Sequence, residues 1–334
     1  MAQRYYNGRS AVFVILAVIL MVLLDHVFFT EKKTASPEAP QIIEVQQQDT
    51  QPPSPPPPVI LGEQAKPEFA SAHDLSTGQI TIPAEIPMWQ KNAVPSNVLK
   101  DRPRVALIID DMGLDVKHSR ETMDLPGPLT MSFMPYAKNL RAQTAYAISK
   151  GHELMVHLPM QPENEKLDAG PKVLKVGQSP EQFLKILDSD LSAFGGYVGV
   201  NNHMGSKMTQ DEEGMTLLMG ELKKRGLLFV DSKTIATSVA ADEAKKAGIP
   251  YAVRNIFVDD EEAKGPIEGS LQHIEKLALS KGLAIAIAHP RAETVEALKE
   301  WLPTLKEKGI ELVPVSAVVT VPDVPQKKDQ PEEE

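Results

Sequence analysis

The chain contains no cysteine, which excludes disulfides, thiolate metal sites, a cysteine nucleophile and a lipidated cysteine together. Basic clustering is missing too. Acidic residues outnumber basic ones 45 to 35, for a formal net charge of −10, and no basic patch of the kind nucleic-acid binders carry is visible. The acid excess favours solubility without pointing to a partner. No internal repeat is apparent, so the 334 residues are read as one or two unlike domains.

Long apolar runs are equally scarce, with one exception at the N-terminus. Residues 11–24 are unbrokenly apolar, and Val27, Phe28 and Phe29 extend the run past Asp25 and His26. That reaches the lower limit for a membrane span, about 17 residues. Arg4 and Arg9 precede it, which places the N-terminus in the cytoplasm and the rest outside. No A-x-A cleavage site follows, so an uncleaved transmembrane anchor over residues 1–30 is expected rather than a removed signal. A buried helix of a soluble domain is the competing reading, and the isolation of the segment speaks against it. Residues 31–102 carry Gln46, Gln47 and Gln48 and then a proline tract, 52–58, interrupted only by Ser54. Such a stretch makes a polyproline II spacer rather than a core, and a disordered linker is expected. Within it, residues 80–89 are apolar enough to pack on the following domain as an arm. The tail, 322–334, is charged.

Between the linker and the tail, residues 103–321 alternate short aliphatic runs with longer amphipathic segments. Candidate strands are 105–109, 129–134, 153–158, 197–200, 227–230, 251–253, 284–288 and 311–314. Gly151, Gly226, Gly248, Gly282 and Gly309 follow helical patterns, where glycine is the expected stop signal. Ser179-Pro180-Glu181-Gln182 reads as a capping box with proline at the first helical position. Continuously apolar strands are buried on both faces, hence parallel and covered by helices. The fold class is α/β, and the alternation fits a (β/α) barrel or an open doubly wound sheet.

Both architectures gather ligands at the carboxyl ends of their strands. The first candidate strand ends in Asp110 and Asp111, the third in His157, the fifth in Asp231 and the seventh in His289, while His203 follows the fourth. An Asp-Asp-x-Gly sequence alone is ordinary turn chemistry, and a lone strand-end histidine is more often structural than a ligand. Three histidines and three acids at one end of one sheet are harder to explain so. Histidine and carboxylate donors without cysteine suit zinc or another divalent first-row ion. His152 opens the third strand at its amino end, away from the others. His26, His73, His118 and His273 read as structural or solvated.

The order and spacing of these segments resemble the polysaccharide deacetylase superfamily, and within it the divergent branch. Asp110-Asp111-Met112-Gly113 is similar to the opening Asp-Asp-Gly. Gly151 to His157 is similar to its Gly-His-Glu-aliphatic-x-x-His, and Ile287-Ala288-His289 to its closing strand. His157-Leu158-Pro159-Met160 and the segment from Asn201 to Ser206 resemble the two marks of the divergent branch. The resemblance implies a deformed (β/α) barrel of about seven to eight parallel strands. It further implies a divalent metal, zinc by preference, held by Asp111 and His157, with Asp110 as general base and His289 as general acid. The superfamily's second metal histidine falls at Gln161, a poor zinc ligand, so His203 is inferred to supply the missing nitrogen. Asp231 is expected to orient His289 or line the site, and Asp259 and Asp260 to lie at its rim or in a solvated turn. The implied substrate is an N-acetylated polysaccharide of the envelope, reached by a periplasmic domain on a single-pass anchor in the bacterial inner membrane. A deacetylase-like module that binds a glycan or an envelope protein without turnover is the alternative reading, and an O-acetyl esterase using the same residues a third.

Overall fold

In a computed structural model of the chain, which describes residues 85–96 and 101–323, the aliphatic runs form parallel strands with helices between them. A single helical turn, α1 (Met88–Lys91), comes first. Then follow β1 (Arg104–Met112), α2 (Val116–Met123), β2 (Thr130–Phe133), α3 (Leu140–Ser149), β3 (Glu153–Met160) and α4 (Pro180–Leu191). The order continues with β4 (Gly199–Met204), α5 (Glu212–Lys224), β5 (Leu228–Asp231), α6 (Ala240–Ala247), β6 (Tyr251–Val253) and β7 (Ile256–Phe257). It ends with α7 (Lys264–Lys281), β8 (Leu283–Ala288), α8 (Ala292–Trp301), α9 (Thr304–Glu307) and β9 (Glu311–Val313). All eight expected strands are present, and the two-residue β7 is an addition to them. The N-cap half of the expected capping box forms, Ser179 Oγ accepting from the amide of Gln182 at 3.3 Å with Pro180 opening the helix.

The sheet runs β6-β5-β4-β3-β2-β1-β8-β7. Its two ends are joined by only Arg254 and Asn255. The amide of Arg254 donates to the Asp231 carbonyl at 3.0 Å, and that of Asn255 to the Ile285 carbonyl at 2.8 Å. The chain thus leaves β5 and joins β8 within two residues, wrapping the sheet into the deformed barrel that the resemblance implies. The ninth strand, β9, lies along Arg104–Ala106 of β1, where β2 has not yet begun to pair.

Strand alternation sorts the side chains into two layers. Ala106, Ile108, Met155, Val230, Ile285 and Ile287 face inward and pack on one another. Their neighbours Leu107, Ile109, Val156, Leu158, Phe229 and Ala286 face outward under the helices. Each large aliphatic side chain buried in this way contributes about 1.5–3 kcal/mol relative to exposure.

The linker expected to reach residue 102 ends earlier. Trp89 and Ala93 pack against the inner apolar layer, the amide of Trp89 donates to the Gly226 carbonyl at 2.8 Å, and Asn92 Nδ2 donates to the Tyr197 carbonyl at 2.7 Å. Residues 85–96 are therefore an arm docked at the amino ends of β4 and β5. The anchor expected over residues 1–30 and the proline tract lie outside the described residues. Among the described residues, no helix is long and apolar enough to cross a membrane.

Candidate functional site

Inward-facing positions continue past the apolar layer to the carboxyl end of the barrel, where they become polar. Ile108 is followed on its face by Asp110, Met155 by His157, Val230 by Ser232 and Ile287 by His289. The register of β3 and β4 sets His157 beside Asn201 and Pro159 beside His203, so Asn201 and His203 share one face. β4 can lie this close to β5 because Gly199 has no side chain. A Cβ there would stand 2.1 Å from the Leu228 carbonyl oxygen.

Asp111 should point away from Asp110 by simple alternation, yet both carboxylates face His157. The pairing of β1 with β2 slips between Ile109 and Met112, and Asp111 takes a left-handed backbone with φ 55°. A bulge of this kind re-aims a side chain, and aspartate is one of the few residues that tolerates the left-handed region.

Asn201 organises the pocket floor. Its Nδ2 donates to Asp110 Oδ1 at 2.8 Å and to Ser232 Oγ at 3.0 Å. Its Oδ1 accepts from Ser132 Oγ at 2.5 Å and stands 3.0 Å from His157 Nδ1. An amide oxygen only accepts, so Nδ1 of His157 carries the proton and Nε2 presents a lone pair. That lone pair faces His203 Nδ1 at 3.1 Å, Asp111 Oδ1 at 3.4 Å and Asp110 Oδ2 at 3.6 Å.

One donor atom each from Asp111, His157 and His203 thus gathers within 4.8 Å of the others. His203 Nδ1 and Asp111 Oδ1 are 3.0 Å apart, but Oδ1 is buried and takes no hydrogen bond. Ligand atoms about 2.1 Å from a zinc ion in a tetrahedral array stand roughly 3.4 Å apart. The three donors have that spacing, and an orphaned buried oxygen among two imidazole nitrogens is what a divalent cation would satisfy. Burial works to raise the Asp111 carboxyl, but the two histidines beside it hold it well below the ordinary carboxylate range. Burial pushes Asp110 the other way, above its usual value, against the pull of His157 and His289.

His289 stands across the cleft with a different orienting partner from the one expected. Asp259, fully buried, accepts from the His289 amide at 2.8 Å and from Thr294 Oγ1 at 2.8 Å, and its Oδ1 holds His289 Nδ1 at 2.9 Å. Burial lowers the His289 imidazole, but the Asp259 carboxylate outweighs it and the net shift is upward. Phe257 stacks on the ring, centroids 6.1 Å apart. Asp231 does not reach His289. It shares the outward face of β5 with Phe229, accepting from Ser238 Oγ at 2.8 Å and the Lys233 amide at 2.7 Å. Asp260 is exposed. The signal that could have found Asp259 is its position, the second residue after a strand that pairs with β8; a two-residue strand leaves little pattern to read.

Gln161 contributes nothing to the centre, since its Oε1 accepts from the Val176 amide at 3.0 Å. His152 is structural, accepting at Nδ1 from the Leu129 amide at 3.1 Å. The cleft between Asp111 and His289 has a volume of about 480 Å³. A larger cavity, about 690 Å³, lies beside the docked arm at the opposite end of the barrel and contains no histidine.

Residues 107–319 match the model of the divergent polysaccharide deacetylase family. An uncharacterised protein of Haemophilus influenzae is 35% identical over 211 residues, covering 63% of this chain and 74% of that one. The uncharacterised protein YibQ of Escherichia coli is 31% identical over 221 residues, covering 66% and 69%. The crystal structure of the uncharacterised protein ATU2773 from Agrobacterium tumefaciens superposes with a TM-score of 0.67 at 27% identity, covering 70% of this chain and 95% of that one. With the family model spanning most of the barrel, the chain belongs to the divergent polysaccharide deacetylases.

Proposed function

We propose that the chain is a metal-dependent hydrolase that removes N-acetyl groups from an envelope glycan. The observation that carries this reading is the convergence of Asp111 Oδ1, His157 Nε2 and His203 Nδ1 within 4.8 Å, between a buried carboxylate and a carboxylate-held histidine. A divalent ion held there, zinc by preference, would supply Lewis acidity at an acyl oxygen and acidify a water molecule. Asp110 is the base: Asn201 occupies its Oδ1, leaving Oδ2 to take the proton from water. His289 is the acid. Its Nδ1 is tied to Asp259, so Nε2 delivers a proton to the departing amine, and the same carboxylate steadies the imidazolium before transfer. A base and an acid on opposite sides of the carbonyl are what amide hydrolysis requires.

The test is acetate release from oligomers of N-acetylglucosamine and from purified peptidoglycan by the full-length chain, before and after chelation. Release that stops on chelation and returns with zinc supports the proposal. A second reading, a glycan-binding module without turnover, draws on the non-ligating Gln161, and a metal-loaded chain that binds these glycans but releases no acetate would establish it instead. The apolar run at residues 11–24 leads us to place the domain on the periplasmic side of the inner membrane. Recovery in the soluble fraction of a mature chain starting near Thr34 would overturn that placement.

A further inference from the structure

We infer that Arg254 and Phe257 are positioning residues for His289, fixing the plane of its ring from the seam where the barrel closes. What the held ring does rests on the hydrolase reading; that it is held does not. Arg254 and Asn255 are the whole connection between β6 and β7. The Arg254 guanidinium grips the end of β5: Nε donates to the Ser232 carbonyl at 2.6 Å and Nη2 to the Lys233 carbonyl at 2.8 Å. Asp231 shapes the turn that presents these carbonyls, since its Oδ1 accepts from the Lys233 amide at 2.7 Å and Lys233 takes a left-handed backbone with φ 46°.

Bonds to two consecutive carbonyls fix a planar guanidinium in orientation as well as in place. Half-buried, it forms no ion pair among the described residues; Asp231, Asp260 and Asp110 act on it only at longer range. What it meets instead is Phe257. The guanidinium carbon stands 3.7 Å from the centre of that ring, the contact of a cation with an aromatic face.

Phe257 in turn lies nearly parallel to His289, with 23° between the ring planes and 6.1 Å between centroids. An offset stack of this kind is a preferred arrangement of aromatic rings. The hydrogen bond between Nδ1 and Asp259 Oδ1, 2.9 Å long, fixes one atom of the imidazole and leaves the ring free to tilt about it. Phe257 supplies the second restraint, on the ring's face, and Phe257 is itself held by Arg254. His289 Nε2 thereby keeps one direction, as proton delivery to a defined atom requires.

The experiment compares the metal-loaded full-length wild type with Phe257→Leu, Phe257→Tyr and Arg254→Met on two substrates, N-acetylglucosamine oligomers and para-nitrophenyl acetate. The amine of the first needs a proton to leave; the nitrophenolate of the second does not. NMR relaxation at His289 Cε1 is measured alongside. Phe257→Leu and Arg254→Met should each lower kcat on the oligomers by roughly two- to thirtyfold, the worth of one cation–π contact. KM and turnover of the aryl ester should stay unchanged while the His289 ring becomes more mobile, and Phe257→Tyr should keep wild-type values. Phe257→Leu leaves both bonds from Arg254 to the carbonyls in place, so it decides the matter if Arg254→Met fails to fold. Equal losses on both substrates, an unchanged kcat, or unchanged His289 mobility in Phe257→Leu overturns the assignment. A wild type that releases no acetate from the oligomers, with His289 still more mobile in Phe257→Leu, keeps the positioning and removes the hydrolase reading.

Discussion

Asn201 shows how little of a site's chemistry depends on the groups that react. Its amide cannot titrate, yet it settles which nitrogen of His157 is bare and which oxygen of Asp110 is free. Asp259 does comparable work for His289, and a pH profile can read it. In the proposed reaction His289 must be protonated to act, so activity is expected below its pKa and should be lost as pH rises through it. Asp259 raises that pKa above the ordinary histidine value, which moves the alkaline limb upward. Asp259→Asn removes the charge and keeps the shape, so the alkaline limb of kcat/KM is expected to shift to lower pH; an unmoved limb would show that His289 is not the acid. At this scale most of the candidate site was legible. Asp110, Asp111, His157 and His203 stand at strand ends in the sequence and around one point in the structure, with Asp111 and His289 lining the cleft beside it. Asp231 also ended a strand, but alternation turned it outward, and the phase of β5 relative to the barrel interior is not written in four residues.

Among the elements, β4 has the narrowest tolerances. It carries Asn201 and His203 on one face, and its distance from β5 is set at Gly199. Gly199→Ala would press a methyl group onto the Leu228 carbonyl. The expected cost is about 1–3 kcal/mol, measured as a lowered urea midpoint. A displacement of β4 should also carry His203 away from His157 and weaken metal binding. Wild-type stability and metal affinity in this variant would contradict the register as the source of the site. The eight longer strands were readable because each is an aliphatic run bounded by turn signals. The bulge in β1 was not, because nothing in Ile-Asp-Asp-Met announces a slip against β2. It is that slip, with the left-handed Asp111, which brings the two neighbouring carboxylates to one side.

For the whole molecule, the barrel closes through a chain that changes partners between β6 and β7, and its amino end is covered by the arm at residues 85–96. A fragment beginning at residue 97 should be less stable than one beginning at 85, by about 1 kcal/mol for loss of the half-buried Trp89 contact alone. Thermal unfolding of the two fragments checks this, and equal midpoints would show the arm to be dispensable. The apolar character of residues 80–89 marks such an arm within the linker, but its extent to residue 96 is not written in the composition, since its binding surface at Tyr197 and Gly226 is made more than 100 residues later. All of the chemistry argued above depends on one property, that Asp111, His157 and His203 hold a single divalent ion. The direct measurement is metal content per chain by elemental analysis of purified wild type, His203→Ala and Asp110→Asn. One equivalent in wild type and in Asp110→Asn, with little in His203→Ala, is the expected result; no bound metal in wild type, or equal content in all three, would contradict it.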